Sequence, residues 1–155
     1  MKRNLSAFFV LSIFLIGFAG AAERKPTLTL SEAKVLVPLK GTTVTAGYGT
    51  FKNTSDQPVV LKVISAKVFK AVELHETKEK DGKVGMAKVD QITVPPRGLF
   101  ELKPGSHHLM LFEPSRSLKP KQDLTVTFDE NGKTVNFKFK MESREMDSSH
   151  DHSQH

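Results

Sequence analysis

An all-β fold, a Greek-key sandwich of cupredoxin-like or immunoglobulin-like type, is what this 155-residue chain predicts. Three observations carry the prediction. From Thr27 onward the chain reads as short runs rich in Val, Thr, Leu and Phe. Gly, Pro, Asn and Asp punctuate the runs, and no window sustains a helical period.

The runs follow in order. Thr27 to Leu30 and Lys34 to Val37 open the domain, and Thr43 to Phe51 and Val59 to Ile64 come next. Val68 to His75 and Gly85 to Ile92 flank Asp81-Gly82, a two-residue turn signal. Pro95-Pro96 precedes Leu99 to Leu102, Pro104-Gly105 precedes His107 to Phe112, and Pro120 precedes the last pair. That pair, Leu124 to Phe128 and Thr134 to Lys140, brackets Asn131-Gly132, whose residues accept the positive φ of a tight hairpin. Short strands with regular breaks fit two packed antiparallel sheets.

Both ends differ from this pattern. Lys2 and Arg3 precede an apolar stretch from Leu5 to Phe18, and Ala19-Gly20-Ala21-Ala22 supplies small residues for cleavage. Residues 1–22 therefore read as a secretory signal peptide, too short in their apolar part for a membrane span. Residues 23–141 form the predicted domain. Residues 142–155 read as a disordered tail of Ser, Asp, Glu, Met and His, and the change of character begins at Met141.

Charge and cysteine content exclude several function classes. Cleavage would remove two of the 23 basic residues and none of the 17 acidic ones, leaving 21 against 17, a net charge of +4. That balance, scattered along the chain, does not argue for nucleic acid. Export exposes a protein to disulfide chemistry, yet there is no cysteine. A thiol redox enzyme is excluded, and a soft-metal site must use methionine sulfur. No Ser-His-Asp or paired-carboxylate constellation argues for an enzyme.

The chemistry-bearing residues fall into two groups. With Asp81-Gly82 as a two-residue turn, Thr77 faces Met86 and His75 faces Lys88, so His75 and Met86 are diagonal neighbours on one face. Beyond Pro104-Gly105, alternation puts His108, Met110 and Phe112 on one side and His107, Leu109 and Leu111 on the other. Two imidazoles and two thioethers form a soft, polarizable donor set, which suits Cu(I) better than zinc or calcium. Each residue taken singly also fits a packing or surface role.

The string Val72-Glu-Leu-His-Glu-Thr77, then Met86, then Leu102-Lys-Pro-Gly105 and His108-Leu-Met110-Leu resembles the PCu(A)C periplasmic copper chaperones. Their signature is a His, ten residues, a Met, twenty-one residues, then His-x-Met; the intervals His75 to Met86 and Met86 to His108 match both spacings. The resemblance begins near Val44-Thr-Ala-Gly-Tyr-Gly-Thr-Phe-Lys-Asn53 and runs to Lys140. It implies a cupredoxin-like sandwich, Cu(I) held by His75, Met86, His108 and Met110, and delivery to the CuA centre of cytochrome c oxidase. Implied partners are oxidase subunit II or a Sco-type protein. The chain departs from many members at Val84, where they carry Met, and at Ala87, where they carry Arg.

In the tail, Met141, Met146, His150, His152 and His155 lie among acidic residues and form a secondary donor set that could wrap Cu(II). The alternative to binding there is a solvated tail with incidental histidines. The expected function is thus a periplasmic Cu(I) carrier with no enzymatic activity and no membrane insertion after cleavage. Its rivals are copper storage or detoxification and a metal-free extracytoplasmic interaction module.

Overall fold

The computed structural model describes residues 26–144. The predicted signal peptide, the adjoining residues 23–25 and tail residues 145–155 lie outside the described residues. Within them the chain forms ten strands and no helix: β1 Leu28–Leu36, β2 Val44–Asn53, β3 Val59–Ala66, β4 Phe69–Lys80, β5 Lys83–Val89, β6 Ile92–Val94, β7 Leu99–Leu102, β8 His107–Pro114, β9 Asp123–Glu130 and β10 Lys133–Glu142.

Hydrogen bonding links nine of them in the order β5-β4-β8-β2-β1-β10-β9-β3-β6, with β7 paired to the distal part of β2. This path folds over on itself. Three strand spacings of ~4.8 Å separate β2 from β9 along the ladder. Yet the Phe51 ring of β2 meets Phe128 of β9 edge to face with centroids 5.5 Å apart, and Phe137 of β10 at 5.3 Å. Only two layers packed face to face allow both facts. Edge-to-face rings at this distance pair a positive rim with a negative face.

The turn between layers occurs in β1. Its register with β2 slips between Ser31 and Lys34, and Glu32 takes a φ of 51°. Beyond the slip Lys34 and Val35 pair with β2 on one side, and Lys34 to Leu36 pair with β10, in parallel, on the other. Bulges of this kind let one strand serve two sheets. Gly49 makes room for it: a Cβ there would lie 3.2 Å from the Ala33 Cα and 3.4 Å from the Ser31 carbonyl oxygen. The two predicted strands Thr27 to Leu30 and Lys34 to Val37 are accordingly one strand with a bulge. The predicted strand Gly85 to Ile92 is two, because the chain leaves β4 at Val89 and joins β3 as β6 on the far edge.

Alternation builds the core. Val72 and Leu74 of β4, Leu109 and Leu111 of β8, Val126 and Phe128 of β9 and Phe139 of β10 are all buried in a single apolar cluster. Asn53, at the end of β2, is also fully buried, and it is saturated. Its Nδ2 donates to the Gln57 and Val94 carbonyls at 2.7 and 3.3 Å, and its Oδ1 accepts from the Ser55 N–H and hydroxyl at 2.9 and 2.7 Å. A buried amide with all four bonds made costs little to bury and fixes the crossing to β6.

The structure corrects one expectation for the tail. Met141 belongs to β10, two residues beyond Phe139 on the same inward face, and is 1% exposed in the core. Its N–H donates to the Gln122 carbonyl at 2.8 Å and its carbonyl accepts from Lys121 N–H at 2.7 Å. Alternation carries its thioether inward, so Met141 is core filler rather than a tail donor. Strand β10 therefore outlasts the compositional change by its pairing with β1, and Glu142 is its last residue. Met146, His150, His152 and His155 lie outside the described residues.

Candidate metal centre

The burial of alternate residues on β4 and β8 sets the site. With Val72, Leu74, Leu109 and Leu111 turned inward, Glu73, His75 and Thr77 of β4 and His108 and Met110 of β8 share the outer face of the sheet. The ladder then brings them into register. His75 stands directly opposite His108, and Glu73 opposite Met110. Across the β4–β5 hairpin, Thr77 faces Met86 and His75 faces Lys88.

The hairpin follows from its turn. Asp81 and Gly82 take φ values of 54° and 72°, the left-handed pair that a two-residue loop requires. A slip of one residue would send Met86 to the other face. The imidazoles of His75 and His108 are 6.1 Å apart between ring centroids and inclined at 36°. Met86, His108 and Met110 together line an outer-face depression of about 310 Å³, which Tyr48, Thr77 and Arg144 also border. His75 flanks His108 across the ladder and is not part of that lining. Exposure grades outward: His108 is 6% exposed, whereas Met86, on the edge strand β5, is 60% exposed.

The ring nitrogens are unequally occupied. His75 Nε2 lies 2.9 Å from Glu73 Oε2, and the other Glu73 oxygen accepts from Lys88 Nζ at 2.8 Å. The hydrogen bond from Lys88, then that from His75, holds the Glu73 carboxyl below the usual carboxylate range. His75 Nδ1 is buried with no hydrogen-bond partner. At His108 the order is reversed: Nδ1 lies 2.9 Å from the Ser106 carbonyl, whose oxygen also accepts from Thr77 N–H at 3.2 Å.

His107 points to the opposite face, as alternation predicts. Its ring packs edge to face on Phe100 at 5.0 Å and its Nε2 lies 3.9 Å from Glu76. Among the described residues no three His, Cys, Asp or Glu side chains gather as a metal site. A site here depends on thioether sulfur, and two imidazoles with two thioethers fit a soft monovalent ion rather than zinc or calcium.

Glu73 and Ser106 escaped the sequence reading, and Lys88, though placed opposite His75, was given no role. Alternation reaches Glu73, which is two residues before His75 on its face. The Ser106 carbonyl is backbone, and side-chain pattern carries no signal for it.

Comparison with known proteins adds to this geometry. The family described as "Putative lipoprotein LpqE-like" matches residues 28–141. A protein of Leifsonia xyli subsp. xyli named "Putative lipoprotein Lxx21020" is 27% identical over 135 residues, which span 81% of each chain. The word lipoprotein belongs to the descriptions of that family and that relative. Among solved structures, the Cu(I) form of DR1885 from Deinococcus radiodurans is 30% identical, with a TM-score of 0.62 over 80% of this chain and 83% of that one. The copper-bound PCuAC domain of PmoF2 is 23% identical, with a TM-score of 0.59 over 76% of this chain and 94% of that domain, a likeness of fold. Of the two sandwich types that the sequence left open, these neighbours select the cupredoxin-like one.

Proposed function

We propose, since this chain belongs to the LpqE-like family and shares the fold of PCuAC copper-chaperone domains, that it is a Cu(I) carrier of the bacterial periplasm. His75, Met86, His108 and Met110 are the ligands in this reading. All four donors are neutral when they bind, and a thioether needs no deprotonation and survives an oxidising compartment that would consume a thiol. The observation that supports the reading most is the buried, unpartnered Nδ1 of His75 on a strand directly opposite His108. A buried nitrogen lone pair without a partner costs about 1–3 kcal/mol, a cost that a bound cation removes.

Transport rather than chemistry on copper suits an open site. Met86 lies on an edge strand at 60% exposure, so an acceptor's ligand can replace its sulfur before the inner ligands let go. We assign residues 1–22 to the export signal, residues 23–142 to the copper domain and the remaining tail to a secondary Cu(II)-capturing role through His150, His152 and His155. The CuA site of cytochrome c oxidase subunit II, directly or through a Sco-type protein, is the acceptor in this reading.

Two experiments test it. Titration of the protein with Cu(I) against a chromophoric chelator is expected to give one tight site that weakens in each of the variants His75→Ala, Met86→Ala, His108→Ala and Met110→Ala. Unchanged affinity in all four would overturn these ligands, and no specific Cu(I) binding by the wild type would return the protein to the metal-free interaction class. A deletion strain is expected to lose oxidase activity and regain it with added copper. Copper sensitivity with normal oxidase activity would instead mean storage or detoxification.

A further inference from the structure

We infer that Glu73 is a positioning residue that makes His75 bind copper through Nδ1, while His108 binds through Nε2, so that the two imidazoles present opposite nitrogens to one ion. The inference rests on the copper reading above and adds which atoms bind and what selects them.

A neutral imidazole has one N–H and one lone pair, and the partner of the N–H decides which nitrogen is free. At His75 the carboxylate of Glu73 lies 2.9 Å from Nε2. A carboxylate only accepts, so Nε2 carries the proton and the lone pair falls on Nδ1. That nitrogen is the only buried side-chain nitrogen or oxygen among the described residues that lacks a partner. Elsewhere the fold satisfies its buried polar groups, even at the fully enclosed Asn53. A buried orphan in such a fold calls for an external partner.

At His108 the acceptor is a backbone carbonyl, Ser106, 2.9 Å from Nδ1. The proton is therefore on Nδ1 and the lone pair on Nε2. His108 reaches its carbonyl at position i−2, and His75 reaches its carboxylate, also at i−2, with the other nitrogen. The difference lies in reach: a backbone oxygen sits close to the strand and meets the near nitrogen, whereas the Glu73 side chain extends along the sheet surface to the far one. Lys88 fixes the carboxylate from the neighbouring strand at 2.8 Å. A metal-bound imidazole whose second N–H is held by a carboxylate or a carbonyl is better oriented and more basic toward the ion.

The test is ¹⁵N NMR of the full chain with labelled histidine, in the free state and during anaerobic Cu(I) titration. Free His75 is expected to show a protonated Nε2 and a bare Nδ1, and free His108 the reverse. Added Cu(I) should move Nδ1 of His75 and Nε2 of His108. Movement of Nε2 of His75 instead would overturn this inference and leave the copper site standing. No movement at either histidine would overturn both.

Two variants separate positioning from mere structure. Glu73→Ala is expected to let the His75 tautomers mix and to weaken Cu(I) binding by about 10–100-fold, the usual effect of losing an outer-shell partner. Glu73→Gln still offers an oxygen to Nε2–H, and should restore the tautomer and most of the affinity. The unchanged spectrum of His107, on the other face, reports that each variant is folded. A Glu73→Ala protein with the wild-type tautomer and affinity would also overturn the inference.

Discussion

His75 and His108 face each other across the β4–β8 ladder, with ring centroids 6.1 Å apart and planes inclined at 36°. The sequence separates them by thirty-two intervening residues. The ladder alone makes them neighbours, and Cα partners in an antiparallel pair hold their side chains on one face regardless of the loops between. At that distance the tilted rings are neighbours at the long end of the ~4.5–7 Å range in which ring pairs touch.

The adjacent histidine provides an internal control. His107→Ala is expected to leave Cu(I) affinity within about twofold, because alternation turns it to the other face, against Phe100. His108→Ala should lower affinity by at least the ~10–100-fold typical of losing an outer-shell partner. Competition with a chromophoric Cu(I) chelator measures both. Equal losses in the two variants would refute the assignment of faces.

Exposure predicts the order of methionine oxidation. Met86 is 60% exposed and Met141 1%. Dilute peroxide should therefore convert Met86 to the sulfoxide well before Met141, as read by peptide mass spectrometry. Preloading with Ag(I), a soft monovalent ion that does not cycle redox state, should slow Met86. Protection of Met141 alone would contradict the site.

Met141 tests where the domain ends. Met141→Ala empties a core position, and such truncations cost about 2–5 kcal/mol. Urea denaturation of the metal-free protein should show that loss, while the Cu(I) stoichiometry stays the same. A lost equivalent of copper with unchanged stability would restore Met141 to the tail donors.

The Asp56–Arg97 pair predicts a limb of acid sensitivity away from the site. Arg97 donates to the two Asp56 oxygens at 2.7 and 3.0 Å. That hydrogen bonding, then the guanidinium charge, holds the Asp56 carboxyl below its ordinary value. A carboxylate depressed by folding stabilises above the unfolded-state value and loses that contribution as pH falls through the folded one. Wild type should thus exceed Asp56→Asn in stability by a constant small margin from pH 7 down to about pH 4, and the margin should close below that. Denaturant midpoints at pH 7, 5 and 3 read it, and a margin that widened in acid would reverse the sign of the argument.

Much of the site was legible before any coordinates. Alternation and one turn dipeptide sufficed to pair Thr77 with Met86 and His75 with Lys88, because a two-residue loop leaves a hairpin a single register. The same local rule separated His107 from His108. Strand boundaries were less legible where the partner strand decides them. Thr27 to Leu30 and Lys34 to Val37 read as two strands since a bulge looks like a break when the strands on either side are unknown. Met141 read as tail because a polar composition follows it, whereas its pairing with Val35 of β1 carries it inward.

The sequence by itself determined the strand-and-turn order, the faces on which the four candidate ligands lie and the softness of the donor set, since all of these depend on side-chain identity and a period of two. Only the tertiary structure decided that β8 lies beside β4, which brings His108 opposite His75. It alone decided which nitrogen of each ring is free. Both depend on groups distant in the chain or on backbone oxygens, and neither leaves a trace in the pattern of side chains.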